Sequence, residues 1–230
     1  MSKRIGVTLG GASLLLLCAL GSAQAASLTA RGNEPSWRVD ISDERIAFSV
    51  LDGETVTLEP APAPMVSNGI SVYSATTDQG AFALVVADKV CIDTMSGMPH
   101  PKTAIVISGD RKLVGCGGEP ADLLRGEWQV EEIGGKTIIA GSEPSLAFEA
   151  DGSIHGNGSC NRFFGTFTLT GEGLTVSQVG ATMMACDQGL MDQEHRLLQA
   201  FETVGRFDVG DDGGVRLVGH DGRVLVKLGK

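Results

Sequence analysis

The chain has 230 residues, with 28 Asp or Glu against 18 Lys or Arg, a formal charge of −10 and a pI near 4.8. This acidic balance, with no basic run, argues against a nucleic-acid binder or a protein held to anionic lipid headgroups, because both need clustered Lys and Arg. A cationic partner stays open.

The first element in the chain is a leader. Lys3 and Arg4 give it a positive start, Ile5 to Leu20 is apolar, and Ala23-Gln24-Ala25 has the small-x-small pattern of a signal peptidase site, so a signal peptide is expected over residues 1–25. Its apolar stretch of about 16 residues falls short of the roughly 20 needed to span a bilayer, and no comparable run follows, so no transmembrane helix is expected after cleavage. Lipid anchoring through Cys18 is the alternative, disfavoured by the bulk of Leu17. Losing Lys3, Arg4 and Cys18 moves the formal charge from −10 to −12 and leaves four of the five cysteines. A periplasmic or secreted location follows, where an even cysteine count reads as a disulfide framework.

The four cysteines allow three connectivities, which spacing alone does not choose among. Cys91 with Cys116 and Cys160 with Cys186 are separated by 25 and 26 positions, each pair inside its own run of strand-like sequence. Two stapled modules are therefore expected: 26–118, a linker at 119–122 where Gly117-Gly118-Glu119-Pro120-Ala121-Asp122 breaks the periodicity, and 123–230. Each module is expected to open on a tryptophan-containing strand, at Trp37 and Trp128. Alternation in Arg45–Val50, Ser145–Glu149 and Arg223–Leu228 predicts strands, and Asp52-Gly53, Asp151-Gly152 and Asp221-Gly222 predict hairpins with primed turns. Ala81–Ala87 and Ala104–Ile107 are apolar throughout and predict interior strands, while Pro60, Pro62 and Pro64 predict a stiff surface loop.

One helix stands out. Leu190, Met191, Leu197, Leu198, Phe201 and Val204 recur at helical spacing behind Asp187 or Asp192 as a cap, with Glu194, His195 and Arg196 expected on a solvated face. The fold class that follows is mainly β: two antiparallel barrel-like or bent-sheet modules, the second with one packed α-helix.

In the second module, Gly156-Asn157-Gly158-Ser159-Cys160-Asn161-Arg162-Phe163-Phe164-Gly165-Thr166-Phe167 is followed by Ala181-Thr182-Met183-Met184-Ala185-Cys186 and by Glu194. This pattern resembles the META domain of HslJ-type bacterial envelope proteins, with Phe167 in place of tyrosine and Ser159 where glycine is common. The resemblance implies an all-β domain with a helix, in proteins linked to heat shock, novobiocin tolerance and, in some cases, motility, and it supplies no established catalytic residues to carry over. In the first module, Gly32-Asn33-Glu34-Pro35-Ser36-Trp37 and Cys91-Ile92-Asp93-Thr94-Met95-Ser96-Gly97-Met98 with Gly115-Cys116 resemble a second, uncharacterised envelope family. Ser36 departs from that family's usual aromatic.

These motifs have structural readings. Gly156 and Gly158 would permit a tight turn, Gly165 belongs to the following strand, and Asn161 would bond to nearby main chain. Phe163, Phe164 and Phe167 would bury against the helix, with Met183 and Met184 filling gaps. Arg162, Thr182, Met184, Glu194, Trp37 and Trp128 are read as motif or core positions. No metal is expected; the candidate set closest to a metal site is Met95, Met98 and His100, whose soft donors suit Cu(I).

No nucleophile elbow, zinc-protease helix, phosphate loop or dinucleotide fingerprint occurs, and His100, His155, His195 and His220 are scattered. Adjacent carboxylates at Glu131-Glu132 and Asp211-Asp212 do not suit paired acid–base work. A non-enzymatic envelope stress or integrity factor without a cofactor is expected, acting by binding an envelope protein or a small apolar molecule. The alternative is an acidic inhibitor or pilot-like binder of one envelope protein, such as a lysozyme-type enzyme.

Overall fold

In a computed structural model of the protein, residues 27–230 are described, so the leader over 1–25 and Cys18 lie outside the described residues. The first half supplies β1 (Leu28–Asn33), β2 (Ser36–Ile41), β3 (Ile46–Val50), β4 (Thr55–Leu58), β5 (Met65–Ser67), β6 (Ile70–Thr77), β7 (Gly80–Ala87), β8 (Cys91–Ile92), β9 (Pro99–His100), β10 (Lys102–Ser108) and β11 (Arg111–Gly117). All but β8 and β9 form one antiparallel sheet, in the order β4-β3-β2-β1-β11-β10-β7-β6-β5, curled into a half-barrel. β8 and β9 make a small ladder of their own.

The second half opens with the one-turn helix α1 (Ala121–Leu124), then β12 (Gly126–Ile133), β13 (Lys136–Thr137), β14 (Ser145–Phe148), β15 (Ser153–Asn157), β16 (Arg162–Thr170) and β17 (Gly173–Ala181). It ends with α2 (Gln188–Thr203), β18 (Val204–Val209), β19 (Val215–Gly219) and β20 (Val224–Gly229). The second sheet runs β17-β16-β15-β14-β12-β20-β19-β18, with β13 beside β12. The mainly β class with one packed helix is what the chain adopts.

Alternation explains where the cores sit. On β2, β3, β7 and β10 every second residue turns inward, so Val39, Phe48, Phe82, Leu84 and Val106 fill the first half-barrel, with the Phe48 ring 6.2 Å from Trp37 and 5.8 Å from Phe82. The second core gathers Trp128, Leu146, Ile154, Phe167, Leu174, Phe207 and Val226 beneath Leu197 and Phe201 of α2. Phe163 lies 5.3 Å from Phe201 and so joins sheet to helix.

Several expectations change in detail. Trp37 lies on the second strand, since β1 precedes it, whereas Trp128 does lie on the first strand of its sheet. β7 and β10 are interior in strand order, yet only one face of each is fully buried. Their other face is apolar too: Met65, Val72, Val85, Ile105 and Val114 stand directly across from one another on five neighbouring strands. The Asp-Gly hairpins form, but with one positive φ each rather than two: Asp52 at 54°, Gly152 at 83° and Gly222 at 81°. Gly152 N–H closes on the Glu149 carbonyl and Gly222 N–H on that of Gly219, so each of these glycines follows the turn as its left-handed residue. Asp187 occupies the cap position of α2 without a side-chain cap bond, and Asp192 accepts instead from Gln188.

Candidate binding cleft between the two sheets

The segment 91–100 is a strap that crosses from the first sheet toward the second, and short-range chemistry shapes it. Cys91 is bonded to Cys116 of β11, and Cys91 also pairs with His100 across the β8–β9 ladder. Within the loop, the Asp93 carboxylate accepts from the backbone N–H of Met95 and Ser96 and from the Ser96 hydroxyl, while Gly97 turns at φ 71°. The first motif meets the second here, because the Asn33 amide donates to Asp93 at 2.9 Å and to Thr94 at 3.0 Å. Burial works to raise the Asp93 carboxyl, but hydrogen bonds from Ser96, Asn33 and Met95 outweigh it and hold the group at about 2.

The glycines of these motifs clear room for Trp37. A Cβ at Gly32 would lie 2.2 Å from the indole nitrogen, and one at Gly115 would lie 2.0 Å from the Arg31 carbonyl and 2.7 Å from the indole ring. Close approach, rather than a special φ, accounts for both.

The strap ends on Met98, only 6% exposed and packed into the core of the second sheet. Two adjoining hollows flank it. The larger, a cleft of about 420 Å³, is lined by Arg31, Asn33, Asp93, His100, Glu119 and Leu169 among others, and so draws on β1, the strap, the segment between β11 and α1 and the β16–β17 turn. The smaller, about 190 Å³, lies between Ser96–Met98 and residues of β18 and β19. His100 sets its tautomer in the larger cleft: Nδ1 stands 2.8 Å from the Gly118 carbonyl oxygen, which only accepts, so Nδ1 carries the proton.

The candidate copper donors differ in burial. Met95 is 80% exposed, whereas Met98 is 6% exposed and lines the cleft together with His100. Among the described residues, no three His, Cys, Asp or Glu side chains gather at metal-binding range, and no helix is long and apolar enough to cross a membrane.

The motif of the second half forms a buried polar knot. Cys160 and Cys186 are joined, and the Asn161 backbone N–H and side-chain amide donate to Glu194 at 2.6 and 2.8 Å, with a third bond from the Cys160 N–H at 3.2 Å. The Asn161 carbonyl oxygen accepts from the Thr182 hydroxyl and the Met184 N–H, and Thr182 in turn accepts from the Arg162 N–H. Glu194 is therefore buried rather than solvated, while its neighbour His195 is exposed. Gly158 faces this carboxylate, where a Cβ would lie 2.7 Å from it, and Gly156 lies against the Ser145 carbonyl. The positive φ at this corner belongs to Ser159, at 114°. Gly165 packs against the main chain of Ser177 and Val179 across from it. Phe163 and Phe167 are buried, but Phe164 is 63% exposed, because neighbours on a strand face opposite ways; Met183 and Met184, on the loop after β17, are 98% and 61% exposed.

Comparison with known proteins gives two kinds of likeness. No curated protein matches the chain. An NMR structure of a protein from Burkholderia xenovorans is 24% identical, covering 46% of this chain and 81% of its own, with a TM-score of 0.37. A second NMR structure is 20% identical, covering 48% of this chain and 93% of its own, with a TM-score of 0.40. The family model of the META domain matches residues 121–230, the stretch that carries the Cys160–Cys186 knot and α2. The C-terminal half of this chain is a META domain.

Proposed function

We propose that the protein is a non-enzymatic, exported factor of the bacterial cell envelope that acts by binding, and that the cleft beside the strap is its binding element. In this reading residues 26–118 and 123–230 are two modules joined at 119–122, and the service rendered is envelope integrity under heat, detergent or bulky antibiotics. The observation that carries it is the meeting of Asn33 with Asp93, which brings two motif stretches of the first half to the wall of one cleft beside the META domain. Two disulfides support an oxidising compartment. The cleft volume of about 420 Å³ falls within the range that holds small ligands, about 300–1,000 Å³.

Deletion of the gene is expected to sensitise cells to at least one of these stresses, with rescue by the wild-type copy and none by a Gly171→Trp copy. A Cβ at Gly171 meets nothing within 4 Å, so the backbone accepts the change while the indole obstructs the cleft that Gly171 lines. Full resistance in the deletion strain, or full rescue by Gly171→Trp, would sink the proposal.

The acidic charge of −10 supports a second reading, a binder of one basic envelope protein recruited by electrostatic steering. Affinity capture from periplasmic extract distinguishes it: a single stoichiometric partner released by salt is its signature.

A further inference from the structure

We infer that the cleft takes an amphipathic monocarboxylate, with Arg31 as the anchor for its head group. This rests on the proposal that the cleft is the binding element. Arg31 sits on β1, directly opposite Cys116 on one side and Arg38 on the other. Like charges facing across a ladder repel, so each arginine needs an anion. Arg38 has one: its guanidinium is bidentate on Asp40 at 2.7 and 2.6 Å, and the third bond to that carboxylate comes from Thr29 at 2.7 Å. Arg31 is exposed and forms no ion pair among the described residues. Hydrogen bonding from Arg38 does most to hold the Asp40 carboxyl below its ordinary value, and the Arg31 charge helps. Arg38 and Thr29 supply the hydrogen bonds to that carboxylate, which leaves the Arg31 fork without a direct anionic contact among the described residues.

Most of the other polar side chains along this wall have their donors engaged; the exception is Thr170, whose hydroxyl accepts from the Glu172 N–H and donates to nothing among the described residues. Thr29 donates to Asp40, Ser96 and Asn33 donate to Asp93, and His100 donates to Gly118. The free charged donor on the wall is therefore one planar guanidinium fork, with the Thr170 hydroxyl as the one neutral side-chain donor beside it, and the fork matches the two oxygens of a carboxylate. A phosphate dianion would call for more donors than this wall offers. Much of the remaining lining is apolar or small, with Met98, Cys116, Pro120, Ala121 and Leu169, which suits a hydrocarbon body. Two carboxylates on the wall oppose an anion: Asp93, whose charge is met by hydrogen bonds from Asn33, Met95 and Ser96, and Glu119, which has no such partner among the described residues.

The test is calorimetric titration of the purified full protein with decanoate, decanol and decyltrimethylammonium at equal ionic strength. Decanoate is expected to bind at least ten-fold more tightly than the other two. Arg31→Gln should weaken decanoate about ten-fold, the loss expected from one charge-assisted hydrogen-bonded pair, and Glu119→Gln should tighten it. Both positions are exposed, so thermal unfolding should be unchanged in each variant. Equal binding of decanol, preference for the ammonium probe, no decanoate binding at all, or an Arg31→Gln variant that binds decanoate normally would each overturn the assignment. If decanoate fails while the Gly171→Trp copy still cannot rescue the deletion strain, the ligand class is wrong and the cleft survives as the binding element. If decanoate binds and Gly171→Trp rescues fully, the functional reading falls instead.

Discussion

Asn161 shows how one side chain can hold a corner together. Its amide donates to Glu194 on α2 and its carbonyl accepts from Thr182 and Met184, so β16, the loop before α2 and the helix itself share one residue. Buried polar networks stabilise when complete and are costly when a partner is missing. Asn161→Ala would strand a buried carboxylate oxygen and two donors, and is expected to lower stability by about 3 kcal/mol in urea denaturation; a loss below about 1 kcal/mol would mean that the knot is replaceable by water. The sequence made the participants visible as a motif but not their roles. Glu194 reads as a surface residue on its helix, because the amide that pairs with it lies 33 positions away and is brought close only by the fold. The exposure of Phe164 has a simpler cause: three phenylalanines near one another invite a shared core, whereas the pleat sends Phe163 and Phe164 to opposite sides.

Among the elements, the strap between β8 and β10 is stabilised by chemistry with a pH signature. Asp93 is held at about 2 against an ordinary 3.8, so its bonds favour the folded state at neutral pH. The sign follows from the lowered folded value: the contribution is complete above the unfolded value and disappears as pH falls from about 4 toward 2. Thermal unfolding followed between pH 6 and 2 should show a steeper acid loss in the wild type than in Asp93→Asn, with the two curves converging at the acid end. Parallel curves would contradict the assignment. Turn chemistry of this kind was legible only in part. Asp-Gly marked the hairpins correctly, yet the geometry at Gly152 and Gly222 places the glycine after the turn, and that depends on loop length rather than on the dipeptide.

For the molecule as a whole, the β class and the helix are legible in periodicity, because strand alternation and turn residues are local signals, whereas the cysteine spacing leaves three connectivities open and the fold selects Cys91–Cys116 and Cys160–Cys186. The cleft could not, since Arg31, His100, Glu119 and Leu169 have no common motif and meet only when both sheets are in place. Met98 is the clearest case: in sequence it belongs to the first half, in packing to the core of the second. Met98→Ala should cost about 2–3 kcal/mol, near the lower end for a buried methionine. Hydrogen exchange should quicken in β18 and β19, far from the substitution in sequence; an effect confined to residues before 118 would show that the two cores are independent.

That arrangement bears on how such a gene could be recombined. Met98 is a plug owned by one half, and its socket, near Phe207, is owned by the other. A fusion that kept the META half but grafted a foreign front end would leave the socket empty, and one that kept the front end alone would present a thioether to water. Either fusion is therefore expected to be less stable than the whole chain, by the contacts that Met98 makes in the second core.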